Sequence, residues 1–384
     1  MNAKIKIVFG VNDFLVGGMQ WQFSELVRYF DREKFDVSLI TLFQFREKED
    51  FYAALPVDLP VYRLSFTGWW DIREWWKLYR LLRMIRPHIV VSSLFYANTA
   101  FRILSPFLSY VSIAREHNTY IHKPRWQQYI DRILAHVSYR IVAVSKTVAS
   151  FTAAQEGIAA EKFVVIHNGI DLARAQDVLG RLPEKEGLRK ELGLPPTRTV
   201  FLNVARLTSQ KNHKLLLEGF AAFHATHPTS LLLIVGGGSL RPALEAQARH
   251  TGLTEDVIFF GMRSDVWRFY KAADALVSTS LIEGFSNVYL EALAAGLPVI
   301  STLTAGTDEL LVDGLNGYRI TESTPKAVEE ALTATATVVG KGELTQGARE
   351  TAKRFSIRQT VERYESLFME AYSRKYRMIY VKSQ

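Results

Sequence analysis

The chain has 384 residues, 48% apolar and 22% charged, which is more than one ordinary core holds and suits two globular domains rather than a disordered or fibrous protein. It contains no cysteine, which excludes disulfides, thiolate metal sites and a cysteine nucleophile. Its net charge of +8 is uneven: Arg63 to Lys146 carries thirteen Lys and Arg against four Asp and Glu, and Lys353 to Gln384 eight against three, so these stretches favour an anionic partner.

In chain order, "KIKIVFGV" (4–11) reads as a strand, "GGMQWQFSELVRYFD" (17–31) as a helix opened by glycine, and "FDVSLITLF" (35–43) as the next strand. "WWDIREWWKLYRLLRMIRP" (69–87) reads as a helix stopped by Pro87. The apolar stretch 87–115 is interrupted by Ser, Asn, Thr and Pro106, so it reads as strand, helix and strand in a buried sheet rather than as a membrane span. No secretory leader is visible after "MNAKIK", which predicts a soluble, cytoplasmic protein. Further strands are expected at 139–145 and 163–169. The charged, proline-bearing region 171–198 reads as a linker with one bridging helix.

A second alternation follows: strand 199–207, helix 212–228, strand 230–238, helix 239–252, strand 256–261, helix 264–274 and strand 275–280. A helix opens at Ser286 or Asn287, then come the strand "PVIST" and a long helix from Ser356 to about Tyr380. Such βα alternation predicts two α/β, doubly wound, Rossmann-like domains. The boundaries read as 1–178, 179–355 and a C-terminal helix, 356–384, that returns to the first domain.

The chemistry concentrates in the second half. In "EGFSNVYLEALAAGLPVI" Glu283 leaves a strand end, and Glu291 stands about one turn into the next helix. Helical side chains lean toward the N-terminus, so both carboxylates address one mouth. Between them the amides of Ser286, Asn287 and Val288 carry the positive end of the helix dipole, an anion seat between two hydroxyl acceptors. A nucleotide sugar has that layout; an acid that merely complements the dipole is the bland alternative for Glu291. In "NVARLTSQKNH" (203–213) Arg206 and Lys211 follow a strand and suit a diphosphate, one by a fork and one as a point charge. "IVGGGSL" (234–240), with Gly236 and Gly237, permits close backbone approach, and Ala305–Gly306–Thr307 forms a tight turn.

Taken together, Arg206 and Lys211, "GGGSL" and the two glutamates eight apart resemble the retaining GT-B glycosyltransferases of family 4, of the bacterial cell-surface polysaccharide and lipopolysaccharide type. The resemblance extends over the whole chain and implies two Rossmann-like domains facing a cleft. It also implies roles: Glu291 on the ribose, Glu283 and the turn at Ala305 and Gly306 on the sugar, and Arg206 and Lys211 on the leaving diphosphate. Phe285, Ser286, Asn287 and Val288 line the donor seat, Gly17–Gly18 closes over the diphosphate, and His117 in "REHNTY" lies by the reacting face. A satisfied loop histidine is the plain reading of His117 without that resemblance.

The activity so implied is retaining, metal-independent transfer of a hexose or N-acetylhexosamine, with a UDP-sugar favoured as donor. No cofactor is implied, and no Asp-x-Asp metal signature is present. Four tryptophans and five cations in 69–87 suggest contact with an anionic membrane and a glycan or glycolipid acceptor at its cytosolic face. A catalytically silent nucleotide-sugar binder and a nucleic-acid binder are the alternatives. The latter accounts for the charge but not for the paired glutamates.

Overall fold

The computed structural model describes residues 4–44, 51–340 and 342–382, with side chains to Tyr376 in the last helix. The chain divides into two compact units, residues 1–169 with 357–384, and residues 170–356.

In the first unit the strands are β1 (Ile5–Val11), β2 (Phe35–Thr41), β3 (Val61–Arg63), β4 (Ile89–Ser93), β5 (Val111–Glu116), β6 (Ser138–Ala143) and β7 (Phe163–Val165). All pair in parallel, in the order β3-β2-β1-β4-β5-β6-β7. The helices between them are α1 (Gly18–Tyr29), α2 (Ile72–Ile85), α3 (Phe95–Leu108), α4 (Arg125–Leu134) and α5 (Lys146–Glu156). The order reverses direction at β1 and β4, the position where doubly wound sheets open a ligand crevice.

The second unit begins with α6 (Leu172–Arg181) and α7 (Lys185–Glu191). It continues as β8 (Thr199–Val204), α8 (His213–Thr226), β9 (Ser230–Val235), α9 (Arg241–His250), β10 (Val257–Gly261) and α10 (Val266–Ala272). Then come β11 (Ala275–Ser278), α11 (Asn287–Ala294), β12 (Val299–Thr302), α12 (Thr307–Leu310), β13 (Gly317–Ile320), α13 (Pro325–Ala336) and α14 (Glu343–Lys353). The sheet order is β10-β9-β8-β11-β12-β13, again parallel, with its reversal between β8 and β11. A final helix, α15 (Ile357–Lys382), belongs to the first unit.

The inner strands of both sheets, such as β1, β4, β5, β9, β11 and β12, are buried on both faces, which is why the sequence shows continuous apolar stretches there rather than alternation. In the first unit Ile7, Phe9, Phe23, Leu26 and Ile113 share one core with Val361, Tyr364, Leu367 and Phe368 of α15. The core of the second unit joins Phe201, Phe220, Phe223, Leu232, Ile234 and Leu332.

Two expectations need correction. Residues 171–198 are no linker: they hold two helices that pack on the second unit, so residues 170–178 pack there too. The anchor is Arg189, buried and satisfied by Asp274 Oδ2 at 2.7 Å and by the carbonyls of Ala272, Pro196 and Arg198. The helix expected at 69–87 starts only at Ile72, where Asp71 accepts from the Glu74 amide at 3.3 Å as its N-cap. Trp69 therefore precedes the helix and stacks on Trp75 against the core, while Trp70 and Trp76 are exposed. Finally β3, β13, α4, α13 and α14 carry no expectation from the sequence, being short or weakly patterned.

Candidate functional site

In the second unit the loops leaving β8 and β11 meet at the sheet reversal. Three contacts stitch them together: Leu281 N donates to Gln210 O at 2.8 Å, Gln210 Nε2 to Ile282 O at 2.8 Å, and Thr279 Oγ1 to Asn212 O at 2.9 Å. Beneath them Asn203 Nδ2 donates to Val277 O, and Asn203 Oδ1 accepts from His213 Nε2 at 2.9 Å. Burial, helped by the Lys211 charge, lowers the His213 pKa to about 4, so this imidazole is neutral and acts as a strut.

A small pocket at this junction is lined by Lys211, Ser278, Glu283, Ser286, Val288 and Tyr289, among others. Lys211 sits in a single helical turn, Ser209–Lys211, ended by Asn212 in left-handed backbone (φ 48°). Its ammonium is paired with Glu283, both side chains being less than one-fifth exposed. The sequence reading assigned these two residues separate ligand groups; the structure places them against each other. Arg206, on the same loop, is exposed and makes no ion pair among the described residues.

Ser286 is the N-cap of α11, with no hydrogen bond from its side chain to the helix and no acid in the first turn; Glu283 lines the same pocket from the preceding loop. Phe285 is buried against Phe355, which commits its ring to the core. Gly306 is left-handed (φ 83°), and a Cβ there would lie 2.7 Å from Gly284 O, so the Ala305–Gly306–Thr307 turn presses directly on the loop that leads into α11. Thr302 Oγ1 donating to Ser280 O at 2.6 Å holds the same two loops together.

Gly236 and Gly238 have φ of 145° and 158°, and side chains there would strike Ala205 O and Leu207 O. Leu207 N donates to Gly237 O at 2.9 Å. The glycine run therefore braces the loop that carries Arg206. Glu291, further along α11, does not line the pocket; its Oε2 accepts from the buried Tyr270 hydroxyl at 2.7 Å. Nothing in the sequence pointed to Tyr270, because its partner lies on the far side of an intervening strand.

In the first unit, Gly17 and Gly18 form the start of α1 at the carboxyl end of β1. Gly17 is extended (φ −172°), which any residue adopts, and an added Cβ would meet Gln20 Oε1 at 2.7 Å. His117 follows β5; burial and the nearby Arg115 hold its pKa well below the ordinary histidine range, and its buried Nε2 has no hydrogen-bond partner among the described residues.

Beside it lies a buried charge cluster that the sequence did not reveal. Asp131 pairs with Arg102 and, at 2.5 Å, with Lys123, which also contacts Glu156. Glu116 accepts from Asn98 Nδ2 at 3.2 Å. Burial, reinforced by Glu156 and Asp131 against the opposing Lys123, pushes the Glu116 carboxyl up to about 8. Burial alone would lower the Lys123 ammonium, yet Glu116, Asp131 and Glu156 hold it above the ordinary lysine range. With Glu116 protonated, the carboxyls of Asp131 and Glu156 are left to face the cations of Arg102 and Lys123.

Two parallel-sheet Rossmann-like units, the second with a cationic and dipolar seat at its sheet reversal, define a GT-B protein. Anabaena HepE in complex with UDP has this fold, at TM-score 0.82 and 20% identity over 95% of this chain and 100% of that one. Residues 16–174 match the Glycosyltransferase Family 4 model and residues 184–354 the Glycosyl transferases group 1 model, and the chain belongs to the family 4 glycosyltransferases. Among curated relatives, an uncharacterized glycosyltransferase of Methanocaldococcus jannaschii is 28% identical over 201 residues, 52% of this chain and 51% of that protein. The alpha-monoglucosyldiacylglycerol synthase of Streptococcus pneumoniae is 32% identical over 175 residues, 44% of this chain and 40% of that protein. The chain thus spans about half of these relatives' length, or less.

Proposed function

We propose that this protein is a retaining glycosyltransferase that moves a hexose or N-acetylhexosamine from a nucleoside diphosphate sugar, UDP-linked by preference, to a lipid-linked or lipopolysaccharide-type glycan. The observation that carries this reading is the convergence of Lys211, Glu283 and the N-terminus of α11 at the reversal of the second sheet. The complex of HepE with UDP and the glycolipid product in the name of the pneumococcal synthase support the donor and acceptor classes. Arg206, Lys211 and the α11 dipole stabilise the departing diphosphate without a metal ion. The acceptor hydroxyl attacks the anomeric carbon on the face that the diphosphate leaves; the carbon–oxygen bond to phosphate breaks, and a phosphate oxygen takes the hydroxyl proton. Glu283 and the 305–306 turn orient the sugar, and Glu291 holds the ribose. His117 enters as a neutral imidazole near the reacting sugar. No cofactor takes part.

Thermal unfolding against UDP, GDP, ADP and their sugar conjugates tests the donor site. One base is expected to raise the midpoint, and Glu291→Ala to abolish that shift. No shift with any of them would remove the reading.

The membrane part of the proposal rests on α2, α3 and α4. Of the four acids between Arg63 and Lys146, Glu74, Glu116 and Asp131 are buried and Asp71 caps α2. The outward faces carry Arg73, Lys77, Arg80, Arg83, Arg125 and Arg132 beside Trp70 (77% exposed), Trp76, Phe107 (75%), Trp126, Tyr129 and Ile133. Exposed aromatics with cations and almost no acid match an anionic bilayer surface. No helix among the described residues is long and apolar enough to cross a membrane; the contact proposed is a peripheral one, at the cytosolic face. The protein is expected to cosediment with phosphatidylglycerol vesicles at low salt, and Trp126→Ser/Tyr129→Ser to lose most of that binding. Equal sedimentation with neutral phosphatidylcholine vesicles would contradict it.

A further inference from the structure

We infer that Tyr270 is a positioning residue of the donor site, holding the Glu291 carboxylate in the orientation that discriminates ribose from deoxyribose. The inference rests on the donor reading above and adds a residue to it. Tyr270 lies on α10, before β11, and Glu291 on α11, after it, so the contact bridges two helices flanking one strand. The tyrosine is 1% exposed, and its hydroxyl donates to Glu291 Oε2 at 2.7 Å. Trp267 meets its ring edge-on at 5.6 Å centroid distance and fixes it from its own helix.

A buried hydroxyl costs free energy unless it is bonded, so this contact is obligatory for Tyr270. For Glu291 it does two things. It removes the torsional freedom of a long side chain on a helix surface, whose immobilisation a ligand would otherwise have to offset. It also occupies one acceptor position on Oε2, which fixes the directions from which hydroxyl groups can approach. The phenol pKa is raised well above its ordinary value by burial and then by the Glu291 charge, so the tyrosine remains the donor of this pair. A carboxylate so held selects for a vicinal diol, because a sugar lacking one hydroxyl leaves part of its acceptor capacity unmatched.

The test compares UDP with 2′-deoxy-UDP, and GDP with 2′-deoxy-GDP, by calorimetry on the full chain, in wild type, Tyr270→Phe and Glu291→Ala. Phenylalanine keeps the ring and its packing and removes only the donor. Wild type is expected to prefer the ribonucleotide, and Tyr270→Phe to weaken ribonucleotide binding about tenfold. Binding of the deoxynucleotide should change little, so the preference collapses. A parallel loss for both nucleotides would mean that Tyr270 only supports the fold and would overturn the inference. If Glu291→Ala removes the preference while Tyr270→Phe retains it, the positioning role alone is wrong. If Glu291→Ala leaves ribonucleotide binding intact, or if neither UDP nor GDP binds, the donor reading itself is wrong, and this inference goes with it.

Discussion

Glu283→Gln is expected to bind bare UDP severalfold more tightly than the wild type while losing most transfer activity. In the ligand-free protein the Lys211 ammonium is already neutralised by Glu283, in a site where both side chains are largely shielded from water. A diphosphate arriving there must displace that carboxylate and accept its negative charge nearby, which weakens binding of the leaving group. Glutamine keeps the shape, drops the charge and releases the ammonium. Lys211→Met should act in the opposite sense, weakening UDP about 10- to 100-fold, the range for a lost hydrogen bond to a charged group. Calorimetry at fixed ionic strength distinguishes the two. Tighter or unchanged UDP binding in Lys211→Met would show that the phosphates lie elsewhere. Weaker binding in Glu283→Gln would show that the pair supports the ligand rather than competing with it. The lost transfer in Glu283→Gln follows from the role at the sugar proposed for it above.

The second large effect belongs to the first unit. Lys123→Met removes the ammonium that contacts both Asp131 and Glu156 inside the protein, and breaking a buried pair from one side costs about 3–5 kcal/mol. Denaturant unfolding should show this loss, and adding Glu156→Gln should restore part of it, because the carboxylate that lost its cation is then neutral. An unchanged midpoint would mean that water already compensates these charges.

The same cluster sets a pH dependence. The Glu116 carboxyl is raised from 4.5 to about 8, so between these values the folded chain holds a proton that the unfolded chain has released. Its stabilising contribution is complete below about 4.5 and is lost as pH rises through about 8, with a slope of up to about 1.4 kcal/mol per pH unit. Burial raises Glu156 as well, with the same sign. Wild-type stability should therefore fall between about pH 4.5 and 8 and level off above that, and Glu116→Gln should flatten that fall; superimposable profiles would refute the assignment.

What could be read from the sequence follows from what is local in it. The parallel sheets were legible because strands buried on both faces appear as continuous β-branched runs, each separated by a helical period. The helix opening at Asn287 was legible because Ser286 and the apolar run after it are contiguous. Arg206 and Lys211 were placed on the correct loop for a similar reason: both follow a recognisable strand. The pairing of Lys211 with Glu283 was not legible, since the two lie 72 positions apart and only the strand order brings them together. Tyr270 and Glu291 are separated in the same way, as are Lys123 and Glu156. The missed β13, α13 and α14 have another cause. β13 spans only four residues, and the two helices are rich in Ala, Thr and Glu, with few large apolar side chains to mark a face.

The return of α15 to the first unit has a consequence for biosynthesis. The second unit is one continuous stretch, residues 170–356, and all of it is available once Ser356 has left the ribosome. The first unit, although synthesised earlier, still lacks Val361, Tyr364, Leu367, Phe368 and Ala371, which close its core over Phe9, Phe30 and Ile113. Until α15 has been made, that apolar surface has no native cover, so the first unit cannot close its core before the whole second unit has been synthesised.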